Sequence, residues 1–301
     1  MKIAMTGSSG FIGTALRARL LRAGHSITRI VRQNFAAKGS EADSVVWKIE
    51  NPSALGSKLE GCDVVIHLAG AGISDHRWTK AYKQQILSSR VEGTRSLAEA
   101  LASMKRKPKI FISASAIGIY GPRGAERIDE KMETGDDFLS KVCLNWESAA
   151  EAARRAEIRV IHPRFGLVLG KDGGALKKML LPFQLGLGGV IGSGTQTYSW
   201  ITLDDLCSAL LFLLNLENAK GVYNLTSPGA CSNRDYTKAL GIALKRPTIF
   251  PMPAFAARLV FGEMADALLN SGQNVWPSRL LESKFQFKAA TIGQAFQQVL
   301  N

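Results

Sequence analysis

The segment Gly7-Ser8-Ser9-Gly10-Phe11-Ile12-Gly13 carries the clearest chemistry in this sequence. Just before it, Lys2 to Thr6 reads as a short strand, and from Phe11 to Ala23 apolar residues recur at helical spacing. A strand, three glycines at this spacing and a helix start together form a cradle for phosphate. The first glycine permits a tight turn, the second lets backbone N–H groups approach a pyrophosphate, and the third lets the helix pack close to the strand. The helix N-terminus adds about half a positive charge. A dinucleotide is therefore expected to rest on Gly7, Ser8, Ser9, Gly10, Phe11, Ile12 and Gly13.

Such a cradle needs a sheet beneath it. Short apolar runs alternate with amphipathic helical patterns, which marks a parallel α/β sheet. Further strands are expected at Ser26 to Val31, Val45 to Ile49, Asp63 to Leu68, Lys109 to Ser113 and Ile158 to Ile161. Helices are expected at about Thr79 to Met104 and Leu139 to Ala156, and Gly24 is placed to end the first helix. After Pro163 comes a glycine-dense stretch between Gly170 and Gly194. Helical patterns then recur at about Leu203 to Leu214, Asn233 to Ala243 and Ala254 to Leu269, around a strand at Gly221 to Leu225. The expected fold is α/β: a Rossmann-type doubly wound parallel sheet of about seven strands with a small C-terminal substrate lobe. Residues 1–165, rejoined by 195–225, would form the nucleotide-binding domain, and 166–194 with 226–301 the lobe.

The spacing Gly-x-x-Gly-x-x-Gly resembles the short-chain dehydrogenase/reductase superfamily, in its extended, epimerase-like branch. Asp63-Val64-Val65-Ile66-His67-Leu68-Ala69-Gly70 resembles that branch's fourth strand and the turn lying along the cofactor. Ser113-Ala114-Ser115-Ala116-Ile117-Gly118-Ile119-Tyr120-Gly121 resembles its fifth strand and active-site turn. His76-Arg77-Trp78, Gly186-Leu187-Gly188-Gly189 and the run from Gln196 through Trp200-Ile201 to Asp204-Asp205 are similar to one family within it. Gly262-Glu263-Met264-Ala265, Leu268, Ser271 and Phe285-Gln286-Phe287 continue that likeness, which spans essentially the whole chain. The family is NAD(P)-dependent epimerase/dehydratase-like, akin to the sugar-nucleotide epimerases. The resemblance implies cofactor contacts at Leu68, Ala69, Gly70, Ser113 and Lys141, with Phe165 and Gly166 near the nicotinamide.

An NAD-selective site of this kind places Asp or Glu at the end of the second strand. Here that strand ends Ile30-Val31-Arg32, with no acid before Glu41. A carboxylate repels a 2′-phosphate, whereas a guanidinium binds it bidentately. The cofactor is thus expected to be NADP(H), with Arg32 on the phosphate. Superfamily members usually work through Ser, Tyr and Lys, the last two as Tyr-x-x-x-Lys; the tyrosine exchanges a proton, the lysine tunes it and holds the ribose, and the serine orients the substrate oxygen. This chain departs from that set. Only Lys141 matches; Asp137 stands four residues before it, and the usual serine position holds Ala116, with Ser115 one residue earlier. Lys141, Tyr120 and Ser115 are the catalytic candidates. Asp137 reads more simply as a helix N-cap and His67 as a strand residue with a hydrogen-bonding duty.

Arg77 and Trp78, and Arg164, follow strands at their carboxyl ends, where open α/β sheets bind ligands. With Gln196 and Trp200 they are the expected substrate residues, beneath a possible lid from Gly186 to Gly194. Asp204-Asp205 read as a helix cap, and no metal is expected. These features suit an NADP(H)-dependent oxidoreductase or epimerase-like enzyme acting on a small polar substrate, with a sugar nucleotide among the options. The missing Tyr and Ser favour a second reading: an NADP-binding regulatory or scaffolding protein that has lost turnover.

Composition limits the partners. The 301 residues hold 38 Lys plus Arg against 25 Asp plus Glu, a formal charge of +13. The densest basic run, Lys105-Arg106-Lys107-Pro108-Lys109, lies between a helix end and a strand, where cations suit the helix dipole, on the face opposite the cofactor. The other positive residues are scattered without interleaved aromatics, so neither nucleic acid nor a membrane is an expected partner, while a homodimer is allowed. The longest apolar stretch, Ala209 to Leu214, is about a third of a membrane span. Cys62, Cys143, Cys207 and Cys231 are far apart, which suits reduced thiols in a cytoplasmic protein.

Overall fold

A computed structural model describes all residues except 33–42, 254, 256–257, 260–261, 267–271 and 301. Its centre is a parallel sheet built from β1 (Lys2–Thr6), β2 (Ser26–Arg32), β3 (Ser44–Trp47), β4 (Val64–His67), β5 (Ile110–Ser113), β8 (Arg159–Phe165) and β12 (Gly221–Leu225). Their order is β3-β2-β1-β4-β5-β8-β12, and the short β6 (Ser115–Ala116) pairs with β8. The chain reverses direction across the sheet between β1 and β4. That switch point is where doubly wound sheets bind their ligands.

The period of two in the strands divides the core into two layers. Ile3, Met5, Val64, Ile66, Ile110 and Ile112 pack against Leu16, Leu20, Leu206, Leu210 and Leu213 on one face. Ala4, Val65, Phe111 and Val160 pack against Leu55, Leu97, Leu101 and Ala153 on the other. The helices that cover these faces are α1 (Phe11–Arg22), α2 (Pro52–Lys58), α3 (Lys80–Ala102), α4 (Phe138–Ser148), α5 (Glu151–Arg155) and α7 (Leu203–Asn215). Gly24, at φ +79°, ends α1 in a conformation that favours glycine. The single helix expected from Leu139 to Ala156 is two, α4 and α5. Arg154 of α5 reaches back and donates to the Glu147 carbonyl of α4 at 2.9 Å, which satisfies an end-of-helix acceptor at the break.

A third core joins the later segments. Leu169, Leu176, Phe183, Tyr198, Trp200, Tyr236, Leu240, Ala295 and Phe296 cluster among β9 (Leu167–Leu169), α6 (Gly174–Gln184), β10 (Thr197–Tyr198), β11 (Trp200–Thr202), α8 (Asn233–Leu244) and α11 (Ile292–Leu300). Much of the helix expected from Ala254 to Leu269 lies outside the described residues; within it, α9 spans Glu263–Ala265, and α10 (Ser278–Glu282) follows before α11. Leu268 and Ser271 also lie outside them.

Asp204 and Asp205 do not cap α7 as expected. The cap is Thr202, whose hydroxyl accepts from the Asp205 N–H at 3.1 Å, because a first-turn carboxylate cannot reach that donor and a residue just before the helix can. Asp204 instead pairs with Arg19 and Lys288. Asp205 is fully buried and accepts from the Lys288 and Ala289 N–H groups at 3.0 and 3.1 Å, tying the C-terminal segment to the sheet. Asp205→Ala orphans both donors, and should lower unfolding free energy by about 1–3 kcal/mol in a urea titration. An unchanged midpoint would show that this tie carries no stability.

Candidate cofactor and substrate site

The glycine turn and the end of β4 are built against each other. Gly7 has φ +65°, and a Cβ there would lie 2.8–2.9 Å from the backbone of Leu68 and Ala69. At Gly13 a Cβ would come within 2.0 Å of the Gly7 carbonyl oxygen. Thr6 fixes this contact. Its hydroxyl accepts from the N–H groups of Leu68 and Ala69 at 3.2 and 3.3 Å, so its own proton goes to His67 Nδ1 at 2.6 Å. His67 is fully buried and edge-on to Trp47, as its strand reading anticipated. Burial, then the charge of Arg90, brings its pKa down to about 4. Its imidazole is neutral near pH 7.

The remaining turn residues divide between surface and core. Ser9 and Gly10 are exposed, while Ser8 is buried and its hydroxyl accepts from Arg29 Nε at 3.3 Å. Phe11 faces a different partner from the one expected. Its ring lies where Cβ atoms on Gly170, Gly173 or Gly174 would come within 2.3–3.2 Å, so that part of the glycine-dense stretch is a seat for Phe11. Arg32 ends β2, exposed, as its assignment to a phosphate requires. Ile12 is half-buried against the sheet core, and Leu68, Ala69 and Gly70 run from half-buried to exposed.

Sequence reasoning missed Arg90. Its guanidinium sits beneath Gly70, at 3.3–3.5 Å from where a Cβ would be, and 5.0 Å from the Trp146 ring centre. Nη1 donates to the Ile86 carbonyl at 3.1 Å, and no carboxylate pairs with it among the described residues. Burial lowers its pKa, which marks an uncompensated buried cation. The available signal was an arginine on the inward stripe of α3, three residues before Gly93, but nothing in the sequence told it from a solvated one.

The expected catalytic hydroxyls are committed elsewhere. Ser115 is fully buried and donates to Glu147 Oε1 at 2.6 Å. Tyr120 is also fully buried; it donates to Asn224 Oδ1 at 2.7 Å and accepts from Arg164 Nη1 at 2.8 Å. Arg164 completes the knot with two bonds of 2.8 Å to the Glu147 carboxylate. Burial alone would raise Glu147, but the hydrogen bonds and charge of Arg164 outweigh it and hold the carboxyl below its usual range. Arg164, expected on the substrate, is thus a core ion pair. A carboxylate from α4 reaches it before a ligand in the cleft does. Lys141 is exposed on α4, and Asp137 caps that helix by accepting from the Ser140 N–H at 2.7 Å. Ser113 is buried, and its carbonyl accepts from His162 Nδ1 at 3.1 Å.

The other expected substrate residues also part company. Trp200 is fully buried and donates to the Gly229 carbonyl at 2.8 Å; Gln196 is buried and donates to the Ile191 carbonyl at 2.8 Å. Trp200 thus belongs to the third core, and Gln196 holds the loop at Ile191. The stretch from Gly186 to Gly194 packs on residues 250–252 and on Asn233, which accepts from the Ile191 N–H at 2.8 Å. Arg77 is exposed and donates to the Leu259 carbonyl at 2.7 Å. Half-buried Trp78 meets Phe138 edge-on at 5.3 Å, with Lys83 over both rings and paired with Glu263 at 2.5 Å. Phe165 and Gly166 stand half-buried at the end of β8, where a Gly166 Cβ would come within 2.7 Å of the Ser199 carbonyl.

Sheet order, glycine turn and switch point together define a Rossmann-type dinucleotide-binding protein. Residues 3–226 match the NAD dependent epimerase/dehydratase family, and residues 252–299 match a domain of unknown function, DUF1731. The chain belongs to this epimerase/dehydratase family. It is 39% identical over 293 residues to an epimerase family protein of Mycobacterium bovis, covering 97% of this chain and 95% of that one. The crystal structure of human epimerase family protein SDR39U1 (isoform 2) with NADPH superposes with a TM-score of 0.89 at 34% identity, over 99% of each chain. A nucleoside-diphosphate sugar epimerase from Corynebacterium glutamicum gives 0.81 at 34% identity, over all of this chain and 58% of that one.

The neutral His67 has a pH signature. Its folded pKa lies below the ordinary value near 6.5, so between those values the unfolded chain binds the extra proton and stability falls as pH drops. From about pH 7 to about pH 5 its share of the loss should be about 1–2 kcal/mol. His67→Asn should flatten that part of the urea-midpoint profile. An identical profile in wild type and variant would mean that His67 protonates without cost.

Proposed function

We propose that the chain is an NADP(H)-dependent oxidoreductase or epimerase-like enzyme that acts on a small polar substrate. The observation that carries this reading is the cradle itself: Gly7 and Gly13 bring the glycine turn, the start of α1 and the Leu68–Ala69 turn so close together that a Cβ at either glycine would strike backbone, the packing a pyrophosphate-binding turn requires. Positive charge surrounds it, with Arg29 at Ser8, Arg32 at the end of β2 and the buried Arg90 under Gly70. The human relative solved with NADPH supports the choice of the phosphorylated cofactor. When bound, NADP(H) supplies the hydride chemistry. The protein's own groups orient it: Arg32 on the 2′-phosphate, Arg90 as the fixed cation nearest the Gly70 turn, and Lys141 towards the ribose.

We read 1–165 with 195–225 as the cofactor domain, and 166–194 with 226–301 as the substrate lobe, which the separate third core supports. Arg77 and Trp78 stay on the substrate side of this reading, and Phe165 and Gly166 stay near the nicotinamide. The similarity to a nucleoside-diphosphate sugar epimerase favours a sugar nucleotide among small polar substrates. A second reading, a regulator that binds NADP(H) without turnover, is favoured by the commitment of Ser115 and Tyr120 to the Arg164 knot.

Calorimetric titration separates these statements. NADPH should bind at least about tenfold tighter than NADH, and Arg32→Ala should erase most of that preference, as expected for a lost bidentate phosphate contact. Arg90→Met should weaken both cofactors by about tenfold, because it acts on the anion common to them. Equal binding of NADPH and NADH would remove the assignment of Arg32. A screen of metabolites with NADPH, followed by absorbance loss, should find turnover that Lys141→Ala reduces. Tight NADPH binding with a silent screen would favour the regulator.

A further inference from the structure

The large apolar residues left exposed are not spread evenly over the surface. Leu181, Leu185, Leu187, Ile242, Ile249 and Phe250 are each between 53% and 72% exposed. They meet at one end of the lobe. The ends of α6 and α8 come together there, since Arg246 Nε donates to the Gln184 carbonyl at 2.8 Å, and Gly189 lies against the Phe250 backbone.

Charge around them is one-sided. From Gly173 to Leu203, and again from Tyr236 to Gly262, the sequence contains no Asp or Glu. Within those spans Lys177 stands one and two turns before Leu181 and Leu185 on α6, and all three are exposed. On α8, Lys238 and Ile242 share a face in the same way, and Lys245 follows at the left-handed end of the helix, all three exposed. Apolar tips and lysines thus occupy common helix faces, and Arg246 lies between the two helices. This is the local stripe that the chain-wide charge pattern conceals.

We propose that this end of the lobe is a peripheral docking surface for an anionic lipid bilayer. The tips protrude from helix ends and from Gly- and Pro-rich connections, and they are aliphatic apart from Phe250. Tips of this kind beside lysines suit the headgroup boundary of a membrane. Protein interfaces instead draw on Trp, Tyr and Arg anchors, and single-stranded nucleic acid on stacked aromatics. A second copy of the same basic face would meet it with like charge. Among the described residues no helix is long and apolar enough to cross a membrane, so the chain would lie on the surface rather than span it. The expectation of no membrane partner rests on the short apolar stretches and on positive residues scattered along the chain, whereas the fold gathers these lysines and apolar tips at one end of the lobe.

The test is co-sedimentation of the full chain, with NADPH present, on vesicles of phosphatidylcholine or of phosphatidylcholine with about a third phosphatidylglycerol. The protein should partition to the anionic vesicles at least about tenfold better, and lose that preference in about 0.5 M salt. A triple variant, Leu185→Ser, Ile249→Ser and Phe250→Ser, should lose about tenfold in partition. Lys177→Glu, Lys238→Glu and Lys245→Glu together should abolish the lipid preference while NADPH affinity and circular dichroism stay unchanged. If the apolar variant fails to fold, the charge variant alone decides. Equal sedimentation on both vesicle types, or no effect of either variant, overturns the proposal. So does a fall in sedimentation-equilibrium mass in the variants without lipid, which would make the face a contact between copies, or retention on duplex DNA in place of vesicles.

Discussion

The Thr6 hydroxyl is the point on which the cofactor slot depends. It stands at the end of β1, one residue before the backbone turns through the positive φ of Gly7. From there it accepts two N–H groups of the β4 turn and donates to His67. A serine or threonine is the only kind of side chain short enough to sit between adjacent strands and still serve three partners. The bonds set the distance between the two turns, and at that distance Gly7 has no space for a Cβ. The same arrangement settles the tautomer of His67. A buried imidazole that accepts at Nδ1 has its proton at Nε2, and that atom has no partner among the described residues. The cradle is therefore held by a buried hydroxyl whose three bonds are all made within the protein.

The sheet could be read from the sequence because its strands are buried on both faces. Val64 to His67 and Ile110 to Ser113 have no exposed residue, so their runs are nearly all apolar and hard to mistake. The break after α4 could not be read, because Ala149 and Ala150 continue a helical pattern well. At the break Arg154 turns its guanidinium to Glu147 and His162, seven and eight residues to either side, contacts that a helical repeat does not announce. The cofactor turn was equally plain, since glycine spacing after a strand is local information. Phe11 was assigned to the ligand because the turn is near, and its glycine seat lies about 160 residues further along the chain. Pattern reading fixes what neighbours in sequence do. It says little about a partner that only the fold supplies.

The substrate residues show the same limit from the other side. Arg164 is the last residue but one of β8, at its carboxyl end, the position from which many open sheets offer a group to a ligand. Whether it does so is decided by what stands behind it. Here Glu147 comes from α4 with both oxygens in range, and Ser115 fills a remaining lone pair of that carboxylate. A bidentate, buried pair with every bond satisfied is not given up for a ligand, because separation would leave a charge in an apolar site. Position in the fold nominated Arg164, and electrostatics withdrew it.

That outcome reshapes the question of proton transfer. Ser115 and Tyr120 cannot orient a substrate oxygen without first leaving bonds inside the core, and burial raises the Tyr120 pKa despite the neighbouring guanidinium. Arg90 is the opposite case. It lies beside the slot and, among the described residues, lacks the counter-charge that Arg164 has, so an anion bound above Gly70 gains an attraction with no carboxylate competing for the guanidinium there. The cleft is thus electrostatically prepared to bind a phosphorylated cofactor, yet poor in free hydroxyl acids along its floor. On the proposed reading, a reaction in such a cleft would draw its proton from Lys141, from the lobe or from water. Lys141 stands exposed on α4, and Lys83 of α3 meets Glu263 at the surface beside Trp78 and Phe138.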